Sequence, residues 1–265
     1  MLERWWNELR LHVRSSGLTV SGAPVWRRRD AKVRGAFDGG PAVSTVDGLP
    51  WGELSDWMVR SAVRGWPIRV HVCDLWSRNW AFAVPQGAMA VADVKGAAAM
   101  SLERLFDTRA DDWHLAVDLQ TGSRAWACAV PRALMAALEV ASMANRSAIV
   151  AVQTDASVCW NRWCRQVGEG DWLLLHQGDR VALATTDEGA LTGWRRWPQP
   201  AEVLRDPGQL RAWLHREAAR QGIAMPDRLL TCGPVPDCWR TSGELPRVQP
   251  LSPMARSPWD VEEAT

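Results

Sequence analysis

A chain of 265 residues can bury a substantial core, as one large domain or two small ones. Its 31 basic and 30 acidic side chains leave a formal charge of +1, without the electrostatic footprint of a nucleic-acid-binding protein. No apolar run approaches the roughly 20 residues of a membrane-spanning helix. Met1–Arg29, with charges scattered from Glu3 to Arg14, lacks the apolar centre of a signal peptide, so the expectation is a soluble, cytoplasmic protein.

Leu9–Arg14 alternates apolar and polar residues, the period of a half-buried strand. Ser15-Ser16-Gly17 turns it into Leu18–Val20, and Lys32–Phe37 supplies a third strand. Asp38–Pro50, rich in Gly, Pro and Ser, reads as loop. Leu54, Trp57, Met58 and Ala62 then recur at helical spacing until Gly65-Trp66-Pro67 stops the helix. Ile68–Leu75 and Trp80–Val84 are strands, and Val91–Phe106 is an Ala-rich helix. Trp113–Leu119 and Ala125–Val130 flank the polar turn Gln120-Thr121-Gly122-Ser123, a hairpin signal. Pro131 sits where a helix can begin, because its missing N–H would have no intrahelical partner there. Leu134, Leu138 and Ala141 give that helix an apolar face. Ala148–Val152 is a buried strand, and Thr154 or Asp155 caps a helix whose bulk is Val158, Trp160 and Trp163.

Trp172–His176, Val181–Thr185 and Leu191–Trp197 read as three successive strands with turns at Gly178-Asp179 and Glu188-Gly189. Asp206-Pro207 opens a helix carrying Leu210, Trp213, Leu214 and Ala218, closed near Gly222, and Arg228–Cys232 is a last short strand. From about Arg240 the composition is Pro, Ser and charge, which predicts a disordered tail, with Trp259 belonging to its flexible end. A three-strand antiparallel start followed by helix and strand therefore occurs twice, from Leu9 and from Trp172.

The stretch AWACAVPRALMAALEVASMANRSAIVAVQTDASVCWNRW, from Ala125 to Trp163, resembles the middle of the cytoplasmic actin-like proteins of type IV pilus assembly and type II secretion. In that family a strand ends in a small-residue-plus-Pro step, a helix follows, and a second strand leads into another helix. The resemblance implies an α/β fold of the actin-like, ribonuclease-H-like kind: duplicated mixed sheets with flanking helices, here truncated. The implied division is a first subdomain over 1–168 with an inserted α/β unit and a second, shortened subdomain over 169–239. A disordered tail over 240–265 completes it.

An actin-like ATPase cradles phosphates with backbone N–H groups in two hairpin turns and holds a metal through acidic residues. Members with a working site resemble Asp-x-Gly-Ser at the first turn. Here that turn is His12-Val13-Arg14-Ser15-Ser16-Gly17, with His12 in the aspartate position and Arg14 in the first glycine position. The second, Leu175-His176-Gln177-Gly178-Asp179-Arg180, lacks the Asp-x-Gly start. Thr231-Cys232-Gly233-Pro234 resembles the adenosine-side turn, with Pro234 in place of a glycine and one backbone donor fewer. These departures argue against ATP hydrolysis, and the expectation is no catalytic residue, metal or cofactor. A competing reading likens Asp118-Leu119-Gln120-Thr121-Gly122 to the Asp-x-Gly-Thr-Gly of sugar-kinase-like ATPases. Gln120 in the glycine position favours an ordinary hairpin instead.

Other signatures are missing: G-x-S-x-G, H-E-x-x-H and the phosphate loop G-x-x-x-x-G-K-[ST] do not occur. The Cys at 73, 128, 159, 164, 232 and 238 form no C-x-x-C, and the expectation is reduced thiols, with Cys232 and Cys238 able to pair only if oxidised. His71 and His114 lie in predicted strands as structural residues, and Glu103 and Asp107 read as a solvated helix surface. Lys32 and Lys95 are the only lysines, and 18 Trp stand against no Tyr, a bias that fits a GC-rich genome. The Trp194-Arg195-Arg196-Trp197 and Trp160-Asn161-Arg162-Trp163 clusters are assigned to packing rather than to base stacking.

The resemblance implies a non-catalytic scaffold that grips the cytoplasmic segment of an inner-membrane assembly protein and contacts other machine subunits, without binding nucleic acid. An extended peptide on a sheet edge or in a groove is the expected mode. The alternative is a working actin-like ATPase or kinase-like enzyme, with ATP and Mg served by Asp118 and the turns at Ser15 and Gly178.

Overall fold

The computed structural model describes residues 7–24, 33–39, 45–119, 124–177, 180–197, 205–233 and 235–251. Its first lobe is a five-stranded sheet in the order β3-β2-β1-β4-β8. The strands are β1 (Asn7–Val13), β2 (Gly17–Pro24), β3 (Val33–Asp38), β4 (Ile68–Val72) and β8 (Ile149–Thr154). The first three are antiparallel, and β4 and β8 add in parallel beside β1. Parallel neighbours need crossovers, supplied by α1 (Trp51–Arg60) before β4 and α3 (Arg132–Ala144) before β8. Side chains alternate across a strand, so Leu9, Leu11 and Val13 of β1 all face these helices, packing with Leu54, Met58, Leu134 and Leu138. Each such fully buried side chain contributes about 1.5–3 kcal/mol.

The second lobe repeats the plan. Its sheet runs β11-β10-β9-β12-β13, built from β9 (Asp171–Gln177), β10 (Arg180–Asp187), β11 (Ala190–Arg196), β12 (Arg228–Cys232) and β13 (Arg247–Pro250). Leu173, Leu175 and Leu230 pack on one face with Ala156, Cys159 and Trp163 of α4 (Asp155–Trp163). Trp172, Leu174 and Leu229 pack on the other with Leu210, Trp213 and Leu214 of α5 (Pro207–Gln221) and Trp239 of α6 (Asp237–Thr241). Thr154 caps α4 by accepting the Ser157 N–H, and Gly222 ends α5 at φ +66°.

Between β4 and α3 the chain inserts β5 (Arg78–Ala83), α2 (Val91–Phe106), β6 (Trp113–Leu119) and β7 (Arg124–Pro131). They form a three-stranded antiparallel sheet, β5-β7-β6, with α2 packed on one face through Val94, Ala98 and Leu102. From the opposite face Trp126 reaches into the second lobe's core. The insertion also ties the lobes by hydrogen bonds: Thr154 Oγ1 donates to Asn79 Oδ1 at 2.8 Å. Nearby, Trp194 Nε1 donates to Asp74 Oδ2 at 2.9 Å.

Two expectations need correction. Residues 240–251 are not a tail: they complete α6 and supply β13, the fifth strand of the second sheet, so the second lobe runs to Leu251 rather than to 239. The Leu251 N–H donates to the Thr231 carbonyl at 2.8 Å, and its side chain is only 5% exposed. Arg-Val-Gln-Pro works as a strand because it lies at the sheet edge, where Pro250 loses no ladder bond on the solvent side. Residues 252–265, Trp259 among them, lie outside the described residues. In α4 Ala156, Cys159 and Trp163 belong to the core and Trp160 packs half-buried against it as expected, while Val158 is half-buried and outside it. Cys232 and Cys238 form no disulfide with each other and belong to the cores on opposite faces of the second sheet.

Candidate functional site

The β1–β2 turn is where an actin-like protein would meet the first phosphates. His12 lies on the penultimate residue of β1, 9% exposed, with Nε2 3.3 Å from Asp155 Oδ1 at the start of α4. His71, its register partner on β4, is 7% exposed. Burial, and then the charges of His12, Arg10 and Arg69, push the His71 pKa down to about 3. Two imidazoles and a carboxylate thus join β1, β4 and α4 where the first strand of a nucleotide site would carry an acid.

A backbone N–H of the turn bonds within it, and two of its carbonyls accept from the rest of the lobe. The Arg14 N–H donates to the Gly17 carbonyl at 2.8 Å, Trp76 Nε1 donates to the Arg14 carbonyl at 2.9 Å, and the Gly39 N–H donates to the Ser16 carbonyl. Arg14 is exposed, and Ser15 and Ser16 are half-buried. Gly17 is demanded by the approach of β3: a Cβ there would lie 2.0 Å from the Phe37 carbonyl oxygen.

In the second lobe the equivalent β9–β10 hairpin closes between Gln177 and Arg180. Gly178 and Asp179 lie outside the described residues, as does Pro234. Gly233 ends β12 at φ +107°, and a Cβ on it would come 1.8 Å from the His176 carbonyl oxygen. This turn is therefore pressed against the end of β9. Asp118 belongs to another sheet. It is exposed on β6, the edge of the three-stranded sheet, opposite Trp126 of β7, and Gln120–Ser123 lie outside the described residues. Among the described residues no group of three or more His, Cys, Asp or Glu is placed to hold a metal ion.

One concave feature escaped the sequence reading. A groove of about 430 Å³ runs between α1 and α3 on the solvent side of the first lobe. Asp47, Trp51, Gly52 and Ser55 form one wall, and small residues of α3, among them Ala133, Ala136 and Ala137, form the other with Val140. Val140 and the neighbouring Met143 are 69% and 76% exposed. Among the described residues Asp47 is the only charged side chain on the walls. The signal available in the sequence was the outer face of α3. Opposite Leu134 and Leu138 a surface helix ordinarily turns polar, and here it carries Ala, Val and Met.

No protein-family model matches the chain, and no curated protein sequence does so. Solved structures do match along nearly its whole length. A protein of Bacteroides thetaiotaomicron described as having an actin-like ATPase fold superposes with a TM-score of 0.62 at 7% identity, covering 94% of this chain and 92% of that one. The fold is actin-like. The cytoplasmic domain of EpsL from Vibrio cholerae, an inner-membrane component of the type II secretion system, gives 0.56 at 14% identity, over 93% and 86%. The PilM–PilN type IV pilus biogenesis complex gives 0.60 at 12% identity, over 95% and 88%. The resemblance read from Ala125–Trp163 thus holds as a likeness of fold. Within this actin-like frame no helix of the described residues is long and apolar enough to cross a membrane.

Proposed function

We propose that the chain is a non-catalytic scaffold of a pilus or secretion assembly machine, holding the cytoplasmic segment of an inner-membrane partner in the α1–α3 groove. The observation that carries this reading is the near full-length likeness in fold to two assembly-machine components. The groove supplies a place for an apolar segment, and Asp47 on its wall favours a partner residue of positive charge. The β1–β2 turn supports the non-catalytic half of the proposal. The Arg14 N–H is committed within the turn, and His12 replaces an acid that could hold a metal.

The test pairs localisation with nucleotide titration. Ala136→Arg, at an exposed position in the groove wall, leaves the melting temperature unchanged and moves the protein from the membrane fraction to the soluble fraction of its host. Calorimetric titration with ATP and Mg gives no heat. Retention at the membrane by the Ala136→Arg protein would remove the groove from the proposal. Nucleotide binding that Asp118→Ala abolishes would replace the scaffold with the enzyme reading.

A further inference from the structure

The outer edge of β6 is open. In the sheet order β5-β7-β6 one edge, β5, lies against β11 of the second lobe, and among the described residues no strand pairs with the outer side of β6. The strand is seven residues long, pairs with β7 in unbroken register, and contains no proline or lysine. Short length, bulges, proline and lysine are devices by which proteins blunt an edge, and with Asp118 as its one acidic residue β6 uses none of these, so it presents a row of backbone donors and acceptors.

Its side chains form a pattern that is its own complement. About Ala116, Leu115 balances Val117, His114 balances Asp118, and Trp113 balances Leu119. His114, Ala116 and Asp118 make one exposed row, and Trp113, Leu115 and Val117 make the half-buried row beneath α2. We propose that β6 pairs antiparallel with β6 of a second copy, about a two-fold axis through Ala116, giving a six-stranded sheet across the dimer. Each His114 then faces Asp118 of the other copy, the two Ala116 meet at the axis where only small side chains fit, and Trp113 covers Leu119, which is 57% exposed. Directly opposed residues in such a pair stand about 4.5–5.5 Å apart, close enough for imidazole and carboxylate to bond.

Register and partner both follow from this pattern. A slip of one residue would turn the half-buried row outward, and a shift of the axis to Leu115 would set His114 opposite Ala116, as a shift to Val117 would set Asp118 opposite Ala116. A strand from an unrelated protein would not require β6 to complement itself, whereas a two-fold contact does. The interface is small, so the dissociation constant is expected on the order of 10 µM. A dimer would present two α1–α3 grooves, but the pairing stands independently of what they hold.

Sedimentation velocity of the full chain, from about 1 to 200 µM to bracket that constant, is the test. The expected result is a concentration-dependent dimer. His114→Asp sets carboxylates opposite each other at two symmetric places and weakens it about tenfold. The exchange His114→Asp with Asp118→His restores wild-type affinity, because opposite charges face each other again. Ala116→Arg abolishes the dimer. All three positions are exposed, so far-UV circular dichroism and melting of the monomer stay unchanged. A chain that remains monomeric at the highest concentration overturns the proposal. So does a dimer indifferent to all three changes, or one that the double exchange weakens as much as His114→Asp alone.

Discussion

The two lobes share a strand order and differ in what lies on their sheets. In β9, Asp-Trp-Leu-Leu-Leu-His-Gln, four consecutive apolar residues divide between two helix-covered faces. In β1, Asn-Glu-Leu-Arg-Leu-His-Val, apolar and polar residues alternate, and only the apolar set belongs to a core. A sheet covered on both sides reads as a continuous apolar run, and one covered on a single side alternates. The polar face of the first sheet is occupied by a network instead. Glu8 accepts from Arg69 Nε and Nη2 at 3.1 and 3.0 Å, His12 lies beside Asp155, and His71 is the register partner of His12. The second lobe is thus covered by apolar packing on both faces of its sheet, and the first holds charged groups on one face.

The sharpest way to break this comparison is at the two-sided core. Leu174→Ala in β9, fully buried, should cost about 3 kcal/mol by urea denaturation. A loss no larger than that of a surface change would deny the second lobe its role. Leu251→Ala should cost about 2–3 kcal/mol, because β13 is anchored by that side chain. Removing residues 240–265 would then be far more damaging than deleting a tail.

A pH effect belongs to the first lobe. His71 takes up its proton near pH 6.5 when unfolded and only near 3 when folded. Between these values the unfolded chain binds more protons, so stability is full above about pH 6.5 and falls as pH drops toward 3. Stability measured at pH 5 should lie about 2 kcal/mol below that at pH 7 through this group. His71→Gln should flatten the profile, and an unchanged slope would remove His71 as its source. The smallest effect is expected on the polar face: Glu8→Gln, which weakens a part-exposed ion pair, should cost about 0.5 kcal/mol.

Much of the architecture was legible because its determinants are local. Val91–Phe106 is a helix from end to end as its spacing predicts, and Arg228–Cys232 is a strand with the expected bounds. Trp194 and Trp197 enter cores on opposite faces of the second sheet, as strand alternation requires. The candidate site was legible only in part. The turn at Arg14–Gly17 stands where it was expected, but its commitment to Trp76 and Gly39 involves residues far along the chain. Asp118 looked like a phosphate-turn acid because Asp-x-x-Thr-Gly is a short pattern. Where such an acid comes to lie is a question of sheet order, which puts it on β6, an outer edge of the three-stranded sheet.

The sequence by itself determined the duplicated α/β plan and the apolar faces of the helices, since hydrophobic period and turn chemistry act over a few residues. Only the tertiary structure decided which residues meet. It set Asp155 against His12, opened a groove between α1 and α3, and made a strand of Arg247–Pro250. It also left β6 without a neighbour on its outer side among the described residues. Each of these depends on the packing of elements distant in the chain, where the deciding energy is the burial of shared surface rather than any local preference.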